Sequence, residues 1–510
     1  MRLAPLFALA ALLPGLLIAP RARAAPSVQA ISDAITELDV VRAKELLSRA
    51  QAETPGLSFE RARLAIYLGD CDSAAAILSA PSFSGSPEGQ ALGDLARRCA
   101  GATAGSVVVD DEVNGIWIRL QDERDRVLVP FLTRAAVRAR DQIGRDLGVE
   151  LPRPLRLDLV RDLFSLSAVS GLPVEAAETT GTVAVARWGR VTMITPRATV
   201  LGYPWEDTLA HEITHLLLSR ATRDFAPLWL QEGIAKREET RWRDERPFDD
   251  SYDPTAHARS ALLSGSSVGI DQLGPSIAML PTPEAASTAF AEVTSFMNYW
   301  IEQNGLPALS LLLIDLKGIG TRDASAAMES VTGFGLSTWN LRWQKHLREM
   351  EAPKARAETP AVPKDLARLV RLGDLAYSRG HLRAAALEHD RAMKAFPVDG
   401  ALRFRASRSW RGVGDAEQAR STLGEVAALQ TAHGGWLALR GREQAAKGEK
   451  GAATSFDTAL GLDPLSEWVA CKGLGRFPAA PGQKSPPAPV FSGDPAWEAL
   501  CASARKPTEN

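Results

Sequence analysis

Two histidines and a glutamate lie close together near the middle of the chain. Residues 211 to 215 read His-Glu-Ile-Thr-His. On a helix, positions i and i+4 lie about 40° apart, so the imidazoles of His211 and His215 project from one face and can share a metal ion. Glu212 lies about 100° around the helix from His211, where it can reach water at the metal. The pattern predicts a site that activates water, with Glu212 as the general base.

A second segment offers a third metal ligand. Residues 227 to 235 read Pro-Leu-Trp-Leu-Gln-Glu-Gly-Ile-Ala and begin another predicted helix, with 16 residues between His215 and Glu232. Two histidines and a glutamate leave a fourth position for water, which catalytic zinc requires. We therefore expect one Zn²⁺ per chain, held by His211, His215 and Glu232.

The two motifs together resemble those of the gluzincin metallopeptidases, most closely the peptidase MA-like family, whose second motif has the form W-L-x-E-G-x-A. The resemblance covers residues 155 to 350 and implies a thermolysin-like catalytic unit. In such a unit a strand at the sheet edge, here 183 to 188 or 191 to 194, pairs with an extended peptide substrate. Glu239 resembles a carboxylate that orients a ligand from behind; a solvated residue in a charged helix is the alternative.

The family match continues through Ala289 and Phe290 but departs there. Members commonly have a tyrosine after that alanine, and its hydroxyl often stabilises the oxyanion formed during hydrolysis. Phe290 cannot donate that hydrogen bond, and Tyr299, nine residues on, should lie on the opposite helix face. Substitute donors are Thr294, His257 and Tyr252, although a packing or surface role is the simpler interpretation for each.

Two functions fit these motifs. The first is a zinc peptidase that hydrolyses peptide bonds. The second is a non-catalytic repeat scaffold with a structural or idle metal site, which Phe290 favours. The intact Glu212 opposes the second, because a structural zinc needs no general base and usually has four protein ligands.

The elements around the motifs predict a helix-rich α+β fold, with the peptidase domain flanked by α-helical, tetratricopeptide-like repeats. Four short runs rich in β-branched residues predict strands, and a helix from about 125 to 147 separates the first two. After Pro204 the pattern becomes helical. The predicted strands are 115 to 120, 155 to 160, 183 to 188 and 191 to 194.

Beyond the peptidase region a repeat appears. Gly380, Gly414 and Gly448 recur at 34 residues, the tetratricopeptide period. Stacked helical pairs present concave grooves suited to peptides, so a protein partner is expected there. The predicted domains are a signal peptide at 1–24, helices at 25–104, the peptidase at 105–352, a linker at 353–365, repeats at 366–467 and a tail at 468–510.

The composition and the first residues of the chain indicate its partners and its location. A net charge of -2 provides no basic excess, so nucleic acid is excluded as an expected partner. The apolar run from 3 to 19, followed by Ala22-Arg23-Ala24, predicts a cleaved export signal, with an uncleaved anchor as the alternative. The mature protein is then expected in the periplasm or the medium, with no membrane span. In that compartment the four cysteines predict disulfides Cys71–Cys99 and Cys471–Cys501, the alternative being buried free thiols.

Overall fold

The computed structural model describes residues 26–50, 53–198, 203–244, 253–274, 276–319, 323–351, 363–425, 433–463 and 469. The predicted signal peptide, most of the predicted linker, nearly all of the C-terminal tail and the predicted Cys471–Cys501 pair lie outside these residues. Within them the protein is helix-rich with one small mixed sheet, which confirms the α+β class.

A five-stranded sheet lies at the centre of the fold, in the order β1-β2-β3-β5-β4. Strands β2, β3 and β5 are parallel, and the two outer strands pair antiparallel to their neighbours. The four predicted strands are confirmed, and β1 was not predicted. The strands are β1 Val107–Asp111, β2 Ile116–Leu120, β3 Leu155–Val160, β4 Ala184–Arg187 and β5 Arg190–Ile194.

Helices cover both faces of this sheet. On one face α6 packs against β2, and α9 packs against β4 and β5; α10 and α12 lie behind α9. On the other face α7 contacts β3, β4 and β5 and is itself covered by α5. These helices, with their neighbours, are α6 Val129–Leu147, α7 Leu163–Ser170, α8 Val174–Thr180, α9 Trp205–Thr222, α10 Leu228–Glu238, α11 Pro254–Ser264, α12 Pro283–Ile319, α13 Ala324–Thr332 and α14 Leu336–Glu349.

The N-terminal region is helical, as predicted, and docks on the sheet. Leu38 has a φ of 58° and separates the first two of its helices. The disulfide Cys71–Cys99 is present, which confirms that pairing. The helices are α1 Val28–Thr36, α2 Val40–Ser48, α3 Pro55–Tyr67, α4 Cys71–Leu78 and α5 Pro87–Thr103.

Buried charges hold the N-terminal helices against the sheet. Asp158 of β3 lies 2.7 Å from Arg119 Nε and 2.8 Å from Arg190 Nε. Arg119 also donates to the Gly69 carbonyl at 2.7 Å, and Arg190 donates to the Ile66 carbonyl. Because buried guanidinium groups need such partners, the sheet and these helices depend on each other.

In the described residues beyond 363, the helices form three pairs. The repeated glycines Gly380, Gly414 and Gly448 all have positive φ and each follows the first helix of a pair, a conformation that glycine adopts without strain. This explains the 34-residue period. The helices are α15 Leu366–Ser378, α16 Leu382–Ala395, α17 Gly400–Val413, α18 Ala416–Leu423, α19 Gly434–Lys447 and α20 Ala452–Leu462.

The histidines of these pairs correct one expectation. From the sequence, His381, His389 and His433 lack metal-ligand spacing and are expected at the surface, but only His381 is exposed. His389 is fully buried, with Ser409 Oγ at 2.9 Å and Asp374 at 3.2 Å. His433 is half-buried and packs against Phe404 in a tilted arrangement, with 5.1 Å between ring centroids. Of the described helices, none combines the length and the apolarity needed to cross a bilayer.

Candidate metal centre

Helix α9 carries the His-Glu-Ile-Thr-His motif. It follows Pro204, has Glu206 and Asp207 in its first turn, and ends at Arg223, whose φ is 53°. Acidic residues at the start of a helix favour it through the helix dipole. Ile213 is fully buried, and His211 and His215, on the opposite face of the helix, line the cavity.

Helix α10 carries Glu232 and is held close to α12. Trp229 is buried and packs edge-on against Phe296, with 5.5 Å between ring centroids. A Cβ on Gly233 would lie 2.6 Å from the Val293 carbonyl oxygen, so a glycine is required at this helix contact. The tryptophan and the glycine of the second motif therefore set the position of the glutamate between them.

The three predicted ligands converge. His211 Nε2 lies 3.2 Å from His215 Nε2, and Glu232 Oε2 lies 3.5 Å from the former and 3.7 Å from the latter. Zinc bound to nitrogen at about 2.05 Å in a tetrahedron places its ligand atoms roughly 3.3 Å apart. These residues therefore fit a zinc ion. Within the described ranges they form the one such group of histidine, cysteine or carboxylate side chains.

Glu212 lies beside this trio rather than in it. Its Oε2 accepts a hydrogen bond from the Ala186 backbone N–H at 2.6 Å, on strand β4. In the β4–β5 ladder the Val183 carbonyl faces β5, so by alternation the backbone groups of Ala184 and Ala186 face away from it. Among the described residues no strand pairs with this side of β4, which we call its free edge, and Glu212 lies against that edge.

Glu239 contacts His211 at Nδ1, the ring nitrogen that does not face the other two predicted ligands. Its Oε2 lies 3.3 Å from His211 Nδ1 and 2.6 Å from Lys236 Nζ. A carboxylate at the second nitrogen of an imidazole fixes the ring orientation and tautomer. The geometry therefore fits the interpretation of Glu239 as a carboxylate that orients His211. It fits less well the alternative that Glu239 is a solvated residue in a charged helix.

The site concentrates opposite charges. Burial lowers the pKa of His211, but hydrogen bonds to Glu232 and Glu239 outweigh it and raise that pKa to about 10. Burial raises the pKa of Glu212. Burial also acts to raise the pKa of Glu232, but the nearby His215 and His211 prevail and lower it. For Glu239 burial is outweighed by Lys236 and His211, and its pKa falls to about 2. The carboxylates thus favour positive charge at the position of the trio.

A cavity of about 650 Å³ contains His211, Glu212, His215 and Glu232 in its wall. Phe290 also lines it, so the aromatic ring without a hydroxyl does face the site. Thr294 and His257 are not among the lining residues. The Thr294 hydroxyl donates to the Phe290 carbonyl at 2.6 Å, and His257 contacts Thr288 at 3.3 Å. Neither supplies the missing donor, and Tyr252 lies outside the described residues.

From the sequence, Trp188, Trp205 and Trp229 are candidates to line a cleft, with core packing favoured for Trp229. Trp188 lines the cavity. Trp205 is fully buried and packs against Phe131, and Trp229 belongs to the core, as expected. Tyr299 stacks on His346 at 5.0 Å, away from the cavity, which confirms its placement on the opposite helix face.

Part of the cleft wall was not predicted from the sequence. Ala186 fixes Glu212 through its backbone, which no side-chain pattern reveals. Thr36, Arg63, Tyr67 and Asp224 also line the cavity, and the first three come from the N-terminal helices. Only the spatial docking of distant segments identifies them.

Comparisons of the chain with protein-family models, curated proteins and solved structures find no significant match.

Proposed function

We propose that this protein is a gluzincin-type zinc metallopeptidase. The observation that carries the proposal is the joint placement of a zinc-sized ligand trio and a separate buried carboxylate at a free strand edge. The trio alone would fit a structural metal. The added base and edge strand are what peptide hydrolysis requires.

The ligands would be His211, His215 and Glu232. A zinc ion there would polarise a scissile carbonyl. It would also lower the pKa of a water molecule, so that the water can lose a proton near neutral pH and attack the carbonyl. Glu212 takes a proton from the attacking water and returns it to the leaving amine. Burial raises the pKa of Glu212, which makes its carboxylate a stronger base.

The free edge of β4 would hold the substrate. The backbone groups of Ala184 and the carbonyl of Ala186 face away from β5 and can pair with an extended peptide. This pairing carries the substrate backbone past Glu212. Recognition through backbone groups accepts many side chains, so the cleft wall would decide the specificity.

A non-catalytic scaffold is the second candidate, favoured by Phe290. With no hydroxyl at that position, an oxyanion loses a donor, and loss of one donor costs about 10²-fold or more in rate. The repeats would then carry the function by binding a protein. The hydrogen bond from Ala186 to Glu212 favours the enzyme, because a structural metal gives that carboxylate no role.

Zinc content is the first test. Purified residues 25 to 510 should bind about one zinc per chain, and Glu232→Ala should lose most of it. Glu88→Gln, an exposed glutamate in the first turn of α5, is the matched control and should retain zinc. Absence of zinc from the wild type after reconstitution would refute the proposed metal centre.

Hydrolysis is the second test. The zinc-loaded wild type should cleave unstructured peptides, and Glu212→Gln should bind zinc equally but leave them intact. If both proteins bind zinc and neither cleaves any peptide, the result favours the scaffold function.

The remaining proposals concern the protein partner and the location of the protein. The three C-terminal helical pairs would recruit a protein substrate or partner, since stacked pairs form concave surfaces. Export would place the enzyme in the periplasm or the medium. The disulfide Cys71–Cys99 supports export, because such bonds persist in oxidising compartments.

A further inference from the structure

The N-terminal helices form one end of the cleft that contains the ligand trio. Four residues of these helices and of the turn between α1 and α2 line the same cavity as His211 and Glu212. They are Thr36, Leu38, Arg63 and Tyr67. A region predicted only as helices flanking the peptidase domain therefore supplies part of the site.

Thr36, Leu38, Arg63 and Tyr67, together called the end wall, are held in place by contacts of the N-terminal helices with the β4–β5 hairpin and with α9. A Cβ on Gly189, at the tip of the β4–β5 hairpin, would lie 2.6 Å from Tyr67 Cδ1 and 3.1 Å from Leu38 Cδ2. Tyr67 and Trp188 pack edge-on with 6.2 Å between ring centroids. The Glu37 carbonyl accepts from Arg220 of α9 at 2.6 Å. Strand β4 and helix α9 both run towards this wall, so a peptide lying between them ends there.

The distance to the wall limits the substrate. Ala186 lies beside Glu212, and the hairpin tip begins two residues later at Trp188. At about 3.3 Å per residue, the free edge between them accommodates roughly two residues of an extended peptide. A scissile bond at Glu212 would then lie about two residues from the substrate end.

The charges at the wall indicate which end of the peptide fits. Arg63 is paired with Glu60 at 3.1 Å and donates to Ser32 and Thr36 at 2.6 Å. Arg187 donates to the Ser170 carbonyl at 3.4 Å and lies over the Trp188 ring. These contacts engage both guanidinium groups with the protein itself.

Asp224 differs from the two arginines. It lines the cavity, and in the described part of the chain no basic side chain forms an ion pair with it. Its φ of 60°, directly after Arg223 at 53°, is a conformation that a non-glycine residue holds only at a cost. Burial raises the pKa of the Tyr67 hydroxyl; the charge of Arg63 acts to lower this pKa and the charge of Asp224 acts to raise it, so the hydroxyl lies near both groups.

We propose that this wall binds the free α-amino group of a peptide, with Asp224 as the counter-charge and the Thr36 and Tyr67 hydroxyls as additional acceptors. The substrate would run antiparallel to β4, and the enzyme would release fragments of about two residues from the amino terminus. This inference rests on the proposed peptidase function and adds its substrate class, peptides with an unblocked amino terminus.

Binding to the Glu212→Gln protein tests the inference separately from hydrolysis. A short unstructured peptide is prepared with free ends, with an acetylated amino terminus and with an amidated carboxyl terminus, and affinities are measured by calorimetry. Acetylation should weaken binding by about tenfold or more, and amidation should have little effect. Adding Asp224→Asn should remove the preference for the free amine. Asparagine tolerates the left-handed backbone, and Asp72→Asn, at an exposed site on α4, is the matched control.

Each outcome decides the matter. Equal binding of the acetylated peptide, or no binding of any peptide, would overturn the amino-terminal site. Weaker binding of the amidated peptide would instead assign the wall to a carboxylate. With the active wild type, mass spectrometry should find released fragments of about two residues. A preference for the free amine without any hydrolysis would leave the inference standing and refute the peptidase function.

Discussion

Replacing Gly233 with alanine should disturb both the stability of the fold and the metal centre. The added Cβ would lie 2.6 Å from the Val293 carbonyl oxygen and 2.6 Å from Met297 Cγ. Contacts below 3.0 Å essentially do not occur, so α10 and α12 would have to separate by about 0.4 Å. The methionine can move, whereas the backbone oxygen cannot.

The magnitude follows from two opposing effects. Overpacking against an unyielding atom costs up to about 3 kcal/mol, and replacing glycine by alanine inside a helix contributes about 1 kcal/mol in favour. We expect a net loss of about 2 kcal/mol. Glu232 precedes the glycine and moves with α10. Because ligand distances tolerate only about 0.2 Å, zinc affinity should fall by about tenfold.

The assay compares two variants. Gly101 lies in helix α5, and a Cβ added there would meet no atom within 4 Å, so Gly101→Ala should raise the midpoint of urea unfolding slightly and leave zinc affinity unchanged. Gly233→Ala should lower both. If the two variants shift the midpoint in the same direction and bind zinc equally, the contact between α10 and α12 does not set the position of Glu232, and the reasoning is refuted.

Three further predictions concern other sites. Glu239→Gln should weaken zinc binding by about 10- to 100-fold, because the carboxylate at His211 Nδ1 is lost, and competition with a chelator would measure the change. Asp158→Asn should lower the stability by about 3 to 5 kcal/mol, since Arg119 and Arg190 would stay buried without a counter-charge; an unchanged urea midpoint would contradict this. Burial lowers the pKa of His433 to about 4, so the unfolded chain takes up the proton first and stability should fall as the pH drops from about 6.5 to about 4. His433→Asn, which retains the helix cap, should flatten that part of the pH profile, and an unchanged profile would assign the acid sensitivity to other groups.

The local parts of the fold could be predicted because short-range periodicity determines them. Runs of β-branched residues located β2, β3, β4 and β5, and the spacing of His211, His215 and Glu232 anticipated a shared face and a second helix. Glycine spacing located the C-terminal pairs, because each turn needs a positive φ. These features depend on a few neighbouring residues.

The remaining features depend on contacts between distant segments. Nothing around Tyr67 indicates that it faces a cleft built around residue 211, because the docking of α3 on the hairpin tip places it there. The surface position expected for His389 was wrong for the same reason, because the sequence of its own helix does not show that another helix buries it. From the sequence, Glu239 is either an orienting carboxylate or a solvated surface residue, and only its 3.3 Å contact with His211 distinguishes the two.

The buried arginines of the sheet also bear on how this protein can change over generations. Arg119 and Arg190 donate to the Gly69 and Ile66 carbonyls of the N-terminal helices, and both depend on Asp158. A recombination event that exchanged residues 25 to 104 for an unrelated module would leave those guanidinium groups facing a foreign surface. The N-terminal helices and the sheet should therefore be inherited together, with substitutions at 119, 158 and 190 occurring jointly.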